Sequence, residues 1–310
     1  MRRLDSKIPG RDSENVNGQK ICRWVEELIG RKLDASTLRP VSGGCINKVW
    51  MLGGQDPVFL KMNRPERIAM FESEMLGLKL LRATGVIRVP RPYGVGQVDG
   101  CSMLVMEGIE LRTQAGPSGQ SALGKKLANL HGTGSPNGKF GAAFDNYIGA
   151  TEQANSWNDS WADFFVENRL RFQMQLAAQN GRPFSQAERL LDRVHQMLSI
   201  HQPVPSLLHG DLWSGNVGFD EQGSPVIFDP ATYYGDAECD MAFTSVFGGF
   251  TDDFYRAYRE IRHSPENEEI LHQIYNLYHI LNHWNLFGGG YGEQAGQMMD
   301  RILDVPVSPE

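Results

Sequence analysis

Leu207-Leu-His-Gly-Asp-Leu-Trp-Ser-Gly-Asn216, followed by Pro225-Val-Ile-Phe-Asp229, is the stretch whose reading decides the fold. Asp211 stands two residues after His209 and five before Asn216, and Asp229 ends an apolar run thirteen residues beyond Asn216. A His-x-Asp-x4-Asn spacing followed by a second carboxylate suits phosphoryl transfer to a hydroxyl. One acid, Asp211, meets the acceptor hydroxyl. Separate oxygen ligands, Asn216 and Asp229, hold Mg2+, a hard cation that takes one or two carboxylates plus substrate phosphates. No Gly-x4-Gly-Lys-[Ser/Thr] loop occurs, which disfavours a Walker-type site.

Working upstream, Lys48-Val-Trp-Met-Leu52 and Val58-Phe-Leu-Lys-Met62 read as strands around Gly53-Gly54, an antiparallel start. Residues 68–82 read as a helix with Phe71, Met75, Leu78 and Leu81 on one stripe. Leu76 and Leu80 fall on the far face, making that helix apolar on two sides. Glu74 lies inside the stripe, where an unpaired charge is costly, so it needs a cation. Lys61, on the preceding strand, supplies one. Before both strands stands the loop Gly43-Gly44-Cys45-Ile46-Asn47. Cys45 is there either a small turn residue or a thiol exposed to oxidation beside bound phosphates.

Val89-Pro-Arg-Pro92 punctuates the chain before Ser102–Met106, a short apolar strand ending at Glu107-Gly108. Beyond this point the pattern turns helical. Residues 121–131, 157–179 and 185–200 read as helices, and Ser264-Pro265-Glu266 reads as a helix start. That last helix carries Leu271, Ile274, Tyr278, Leu281 and Trp284 and stops at Gly288. The expected organisation is a loose extension over 1–20, a β-rich lobe over 21–107 and a helical lobe over 108–310.

The whole chain of 310 residues is 41% hydrophobic and 22% charged, ordinary for a globular protein. Its net charge of −7 argues against a nucleic-acid partner. The charge is uneven: residues 1–107 hold 17 basic and 12 acidic side chains, residues 108–310 hold 13 and 25. A basic front suits a nucleotide, and an acidic back suits Mg2+ and a cationic substrate. Four scattered cysteines suggest a reducing cytoplasm, and no apolar run is long enough to predict a membrane span.

Together these motifs resemble the fructosamine-3-kinase/ketosamine-3-kinase family, a relative of the aminoglycoside phosphotransferases. The resemblance is carried by Gly43–Asn47, Met70-Phe-Glu-Ser-Glu74, Val89–Pro92, Leu208–Asn216, Phe228-Asp-Pro-Ala231, Tyr233-Tyr-Gly235, Phe247-Gly-Gly-Phe250 and Asn282-His-Trp-Asn-Leu-Phe-Gly288. It implies an α+β, bilobal protein-kinase-like fold with a small antiparallel sheet and a larger helical lobe. The implied activity is ATP- and Mg2+-dependent phosphorylation of the O3 hydroxyl of ribulosamines, erythrulosamines or fructosamines, on amines or proteins.

Matched residue by residue, Asp211 is the base, and Asn216 and Asp229 are metal ligands. Gly43, Gly44, Cys45, Ile46, Asn47, Lys61 and Glu74 hold phosphates, Met106, Glu107 and Gly108 form the adenine hinge, and Trp213 and His283 line the acceptor pocket. Two positions depart from the family pattern: Gly108, where relatives often carry an aromatic residue, and Asp236, where they often carry His in a substrate-side position. Outside the direct chemistry, Asp240 is expected to brace the catalytic loop, and His131 and His279 to be packed in the core. The rival readings are a kinase for another small amine or alcohol, such as an aminoglycoside, and a nucleotide-binding pseudokinase scaffold.

Overall fold

The computed structural model describes residues 17–41 and 46–306. Helix α1 (Gly18–Ile29) opens them, with the Asn17 side chain accepting from Lys20 N–H and Gly30 ending it in the left-handed region. The end of the expected loose extension is therefore helical from Gly18 onward.

A five-stranded antiparallel sheet follows, built from β1 (Arg39–Pro40), β2 (Lys48–Leu52), β3 (Val58–Asn63), β4 (Pro92–Val98) and β5 (Cys101–Glu107), in the order β1-β2-β3-β5-β4. Strand alternation assigns its two faces. Val58, Leu60 and Met62 of β3, with Met103 and Val105 of β5, bury themselves with Ile21 and Val25 of α1. Lys61, in register with Val49 and Leu104, faces the other way, towards helix α2 (Ile68–Ala83).

Met70, Phe71, Leu78 and Leu81 of α2 join Leu104 and Met106 of the sheet in a second core. That core continues into Leu123, Leu212, Phe219, Ile227 and Phe254 of the helical part. One continuous hydrophobic cluster thus runs between the two lobes. Leu76, expected on an apolar second face of α2, is exposed instead.

The helical part comprises α3 (Pro117–Leu130), α4 (Trp161–Phe165), α5 (Phe172–Gln179), α6 (Ala187–Ile200), α7 (Glu238–Thr244), α8 (Asp252–Arg259), α9 (Glu268–Phe287) and α10 (Tyr291–Asp304). Three short strand pairings punctuate it, the first being the hairpin β6 (Asn146–Ile148) with β7 (Thr151–Gln153). Another joins β8 (Ser206–Leu207) to β11 (Tyr234–Gly235), and a third joins β9 (Val217–Phe219) to β10 (Pro225–Ile227).

Two sequence expectations need correction here. The helix expected over 157–179 begins only at Trp161, capped by the Ser160 hydroxyl, and widens into a π turn over Val166–Arg171. The widening turns Arg169 into the core, where it lies 4.3 Å above the Tyr233 ring and 4.7 Å from that of Phe164. The start expected at Ser264-Pro265-Glu266 is a turn; helix α9 begins at Glu268, whose N–H bonds back to Pro265 O. Among the described residues no helix is long and apolar enough to cross a membrane.

Candidate active site

The catalytic loop leaves β8 through His209-Gly210-Asp211. Gly210 has φ +84°, and a Cβ there would lie 2.1 Å from Ala231 O, so only glycine fits. Asp240, buried in the first turn of α7, accepts His209 N–H at 2.7 Å and Gly210 N–H at 2.8 Å. Its Oδ2 also accepts from His131 Nε2 at 3.1 Å, while His131 Nδ1 meets the Tyr258 hydroxyl at 2.8 Å. Burial works against the Asp240 charge, but His131, His209 and the Gly210 N–H outweigh it and hold the carboxyl below its usual range.

His209 is wholly buried. Its Nε2–H donates to Phe228 O at 2.9 Å, and its Nδ1 accepts Asp211 N–H at 3.3 Å. That pattern is one neutral tautomer, in keeping with the downward pull of burial on its pKa. The loop is therefore locked to the short segment that joins the 225–227 strand to Asp229.

Asp211 is half-buried at the end of this loop. Asn216 Nδ2 donates to its backbone carbonyl at 2.8 Å and to its Oδ2 at 3.1 Å. Burial pushes the Asp211 carboxyl up to about 7, with Asn216 opposing and Asp229 adding to the rise. Among the described residues no donor reaches Asn216 Oδ1, which leaves that oxygen available as a ligand beside the acid.

Asp229 takes the left-handed backbone conformation, φ 58°, and its side chain is 39% exposed. The Lys61 ammonium lies 2.6 Å from Asp229 Oδ1 and 2.7 Å from Glu74 Oε1. Burial would lower the lysine, but the two carboxylates outweigh it and keep the ammonium charged. One buried cation thus ties the third strand, α2 and the Asp229 turn together. Asp229 and Asn216 offer hard oxygen donors, a set that suits a small divalent cation bound together with phosphates.

Behind Asp229 lies a buried amide network that sequence reasoning missed. Asn146 Nδ2 donates to Thr232 O at 2.9 Å, and Gln153 Nε2 to Ala231 O at 3.2 Å. Asn155 Nδ2 bonds Asn146 Oδ1 at 2.9 Å, and Arg169 bonds Asn155 Oδ1 at 2.6 Å. The β6–β7 hairpin thereby pins the backbone two and three residues beyond Asp229. No local pattern signals this, because the partners lie some eighty residues apart.

At the expected hinge, Glu107 accepts from Arg88 at 3.0 Å and from Arg91 N–H at 3.1 Å. Arg88 also reaches Asp220 at 2.8 Å, joining hinge to the β9–β10 turn. Gly108 N–H donates to Pro57 O at 2.9 Å. A Cβ at 108 would meet Met51 Sδ at 2.7 Å and Pro57 O at 2.8 Å. The departure at Gly108 is thus a close backbone approach that tightens this edge. Met106 is buried beneath it in the core shared by the two lobes.

Gly43, Gly44 and Cys45 lie outside the described residues. Asn47 Oδ1 accepts from Asn63 Nδ2 at 2.7 Å, and Ile46 reaches the β6–β7 turn at Gly149. Trp213 and His283, both expected at the acceptor, do not meet directly: Phe247 lies between them, at ring separations of 5.7 and 5.2 Å. The Phe247-Gly-Gly-Phe250 motif was the available signal for that residue. His279 stacks on Phe243 at 3.6 Å, and burial brings it down to about 3, a packed neutral ring. Asp236, expected on the substrate side, is turned into the core. It is buried, accepting from Tyr275 OH at 2.6 Å and His201 Nε2 at 2.7 Å, because the turn into α7 carries it inward.

Glycine-preceded strands, a strand lysine paired to a helix glutamate, a His-x-Asp loop and a carboxylate after the next hairpin define a protein-kinase-like phosphotransferase architecture, and the fold is bilobal in that manner. The fructosamine kinase family profile matches residues 17–305, and the chain belongs to that family. It is 44% identical over 288 residues to a probable ketoamine kinase of Synechocystis, covering 93% of this chain and 97% of that one. A chloroplastic protein-ribulosamine 3-kinase of Oryza sativa subsp. japonica is 40% identical over 290 residues, 91% of this chain and 83% of the relative. A crystal structure from Haemophilus somnus 129PT, described provisionally as a fructosamine-3-kinase, superposes with a TM-score of 0.85 at 32% identity. That match covers 92% of this chain and 97% of the other.

Proposed function

We propose that the chain is an ATP-dependent ketosamine 3-kinase acting on the O3 hydroxyl of ribulosamines and erythrulosamines, with fructosamines as a further substrate, on free amines or proteins. The observation that carries this is the double tie of Lys61 to Glu74 and Asp229 beside the Asp211–Asn216 pair, in a family whose relatives are named for ketoamine and ribulosamine phosphorylation. We assign residues 21–107 to the nucleotide side and 108–310 to the metal and acceptor side.

In this reading Lys61, held by Glu74, contacts the nucleotide phosphates, and Met106 to Gly108 border the base. Asn216 and Asp229 would hold Mg2+, which supplies charge neutralisation for the transferred phosphoryl group. Asp211 orients the acceptor hydroxyl and takes its proton as the O3–phosphorus bond forms and the bond to the ADP oxygen breaks. Its raised pKa keeps it basic enough to accept that proton. Most of the rate enhancement comes from holding the two reactants in line. The test is ADP release measured by a coupled assay over ribulose-, erythrulose- and fructose-amines, with aminoglycosides as controls. Turnover of the ketoamines is the expected result; turnover confined to aminoglycosides, or nucleotide binding without transfer, refutes the assignment.

A further inference from the structure

Beyond Trp213 the catalytic loop runs into an aromatic track that the transfer itself does not use. Trp213 meets Phe247 edge-on at 5.7 Å, and Phe247 meets His283 at 5.2 Å. His283 in turn meets Phe287, one turn further along α9, at 5.8 Å, and Tyr291 at the start of α10 at 5.1 Å. Phe247 is 41% exposed and Phe287 53% exposed, so the track is open to water at these two rings. Phe247 also meets the buried Phe243 edge-on at 5.8 Å, and its loop is anchored further on, where the buried Gln120 donates to Gly249 O at 3.4 Å.

We propose that this track binds the substituent on the ketoamine nitrogen: a secondary ammonium carrying an apolar stem, as in a glycated lysine side chain. The inference rests on the reading of the chain as a ketoamine 3-kinase, and it adds what selects the amine part. Chemistry sets the reach. With O3 at Asp211, four bonds separate that oxygen from the nitrogen, about 5 Å when extended. Trp213 stands two residues after Asp211, and a nitrogen seated at its ring would send its substituent along Phe247 and Phe287. Aromatic faces attract the ammonium, and their apolar area covers the stem. His283 contributes no opposing charge: its Nδ1–H donates to His279 O at 2.8 Å, and burial holds it below its ordinary pKa.

The experiment compares wild type and Phe287→Ala on two ketoamines that differ only at nitrogen. One is 1-amino-1-deoxyribulose with no substituent, the other ribulose linked to the ε-nitrogen of Nα-acetyl-lysine. The variant is expected to lose about tenfold in kcat/KM on the lysine compound, about 1.4 kcal/mol. Less than twofold should be lost on the unsubstituted one, with an unchanged KM for ATP. An unchanged melting temperature confirms that an exposed ring was removed without harm to the fold. Equal losses on both compounds, or none on either, overturn the subsite while leaving the kinase reading intact. A wild type that turns over neither ketoamine overturns both.

Discussion

Asp211→Asn separates what the acid does for catalysis from what it costs the fold. The Asn216 amide donates to Oδ2 of Asp211 in the native protein, and an asparagine oxygen can accept the same bond, so the loop keeps its shape. Turnover should fall at least ~100-fold, about 2.7 kcal/mol of transition-state stabilisation, because the amide cannot take the hydroxyl proton. Stability should move the other way. Burial raises this carboxyl from 3.8 to about 7 in the folded chain. A raised acid destabilises the fold only when ionised. Its penalty appears as pH climbs above the unfolded value and is complete above the folded one. A three-unit difference sets a ceiling of roughly 4 kcal/mol, and partial exposure of the group brings the expected gain to about 2 kcal/mol. The assay is thermal unfolding without nucleotide or divalent cation. At pH 8 the variant should melt several degrees above wild type; at pH 4 the two should coincide. Wild-type turnover, or equal melting temperatures at pH 8, would refute the reasoning.

Two further outcomes test the surroundings. Gly108→Ala should destabilise the protein by about 1–3 kcal/mol, read from denaturant midpoints, because its Cβ meets the Pro57 carbonyl, backbone that cannot turn aside. Glu238 is opposed by burial, but Arg259 and His272 hold it down at about 2. Its stabilising contribution, roughly 3 kcal/mol, is present above the unfolded value and lost as pH falls through 5 towards 2. Midpoints of wild type and Glu238→Gln should therefore differ most near neutrality and converge near pH 2.

The local devices of this protein were legible because each is written within a few residues. Strand alternation put Lys61 on the face opposite Leu60 and Met62, and the stripe on α2 placed Glu74 where only a cation would suit. The 2.7 Å pair is the outcome of those two periodicities. Asp236 and Arg169 escaped for the opposite reason. A turn and a π widening each rotate a side chain by a fraction of a helical turn, and that rotation is set by packing rather than by the residue's own pattern.

By itself the sequence determined the kind of chemistry: an acid, an amide and a second carboxylate at spacings that phosphoryl transfer can use, with a lysine and a glutamate to serve them. Tertiary structure alone decided how those groups are held. It set Lys61 between two carboxylates rather than beside one, and it gave Asp240 the loop's N–H groups to bind. It also brought Asn146 and Gln153 beneath Asp229, and lined Phe247 with His283 and Phe287 into one track. Each of these depends on elements far apart in the chain meeting at angstrom distances. Hydrogen bonds and ring contacts exist only at such distances, and no spacing along the chain encodes them.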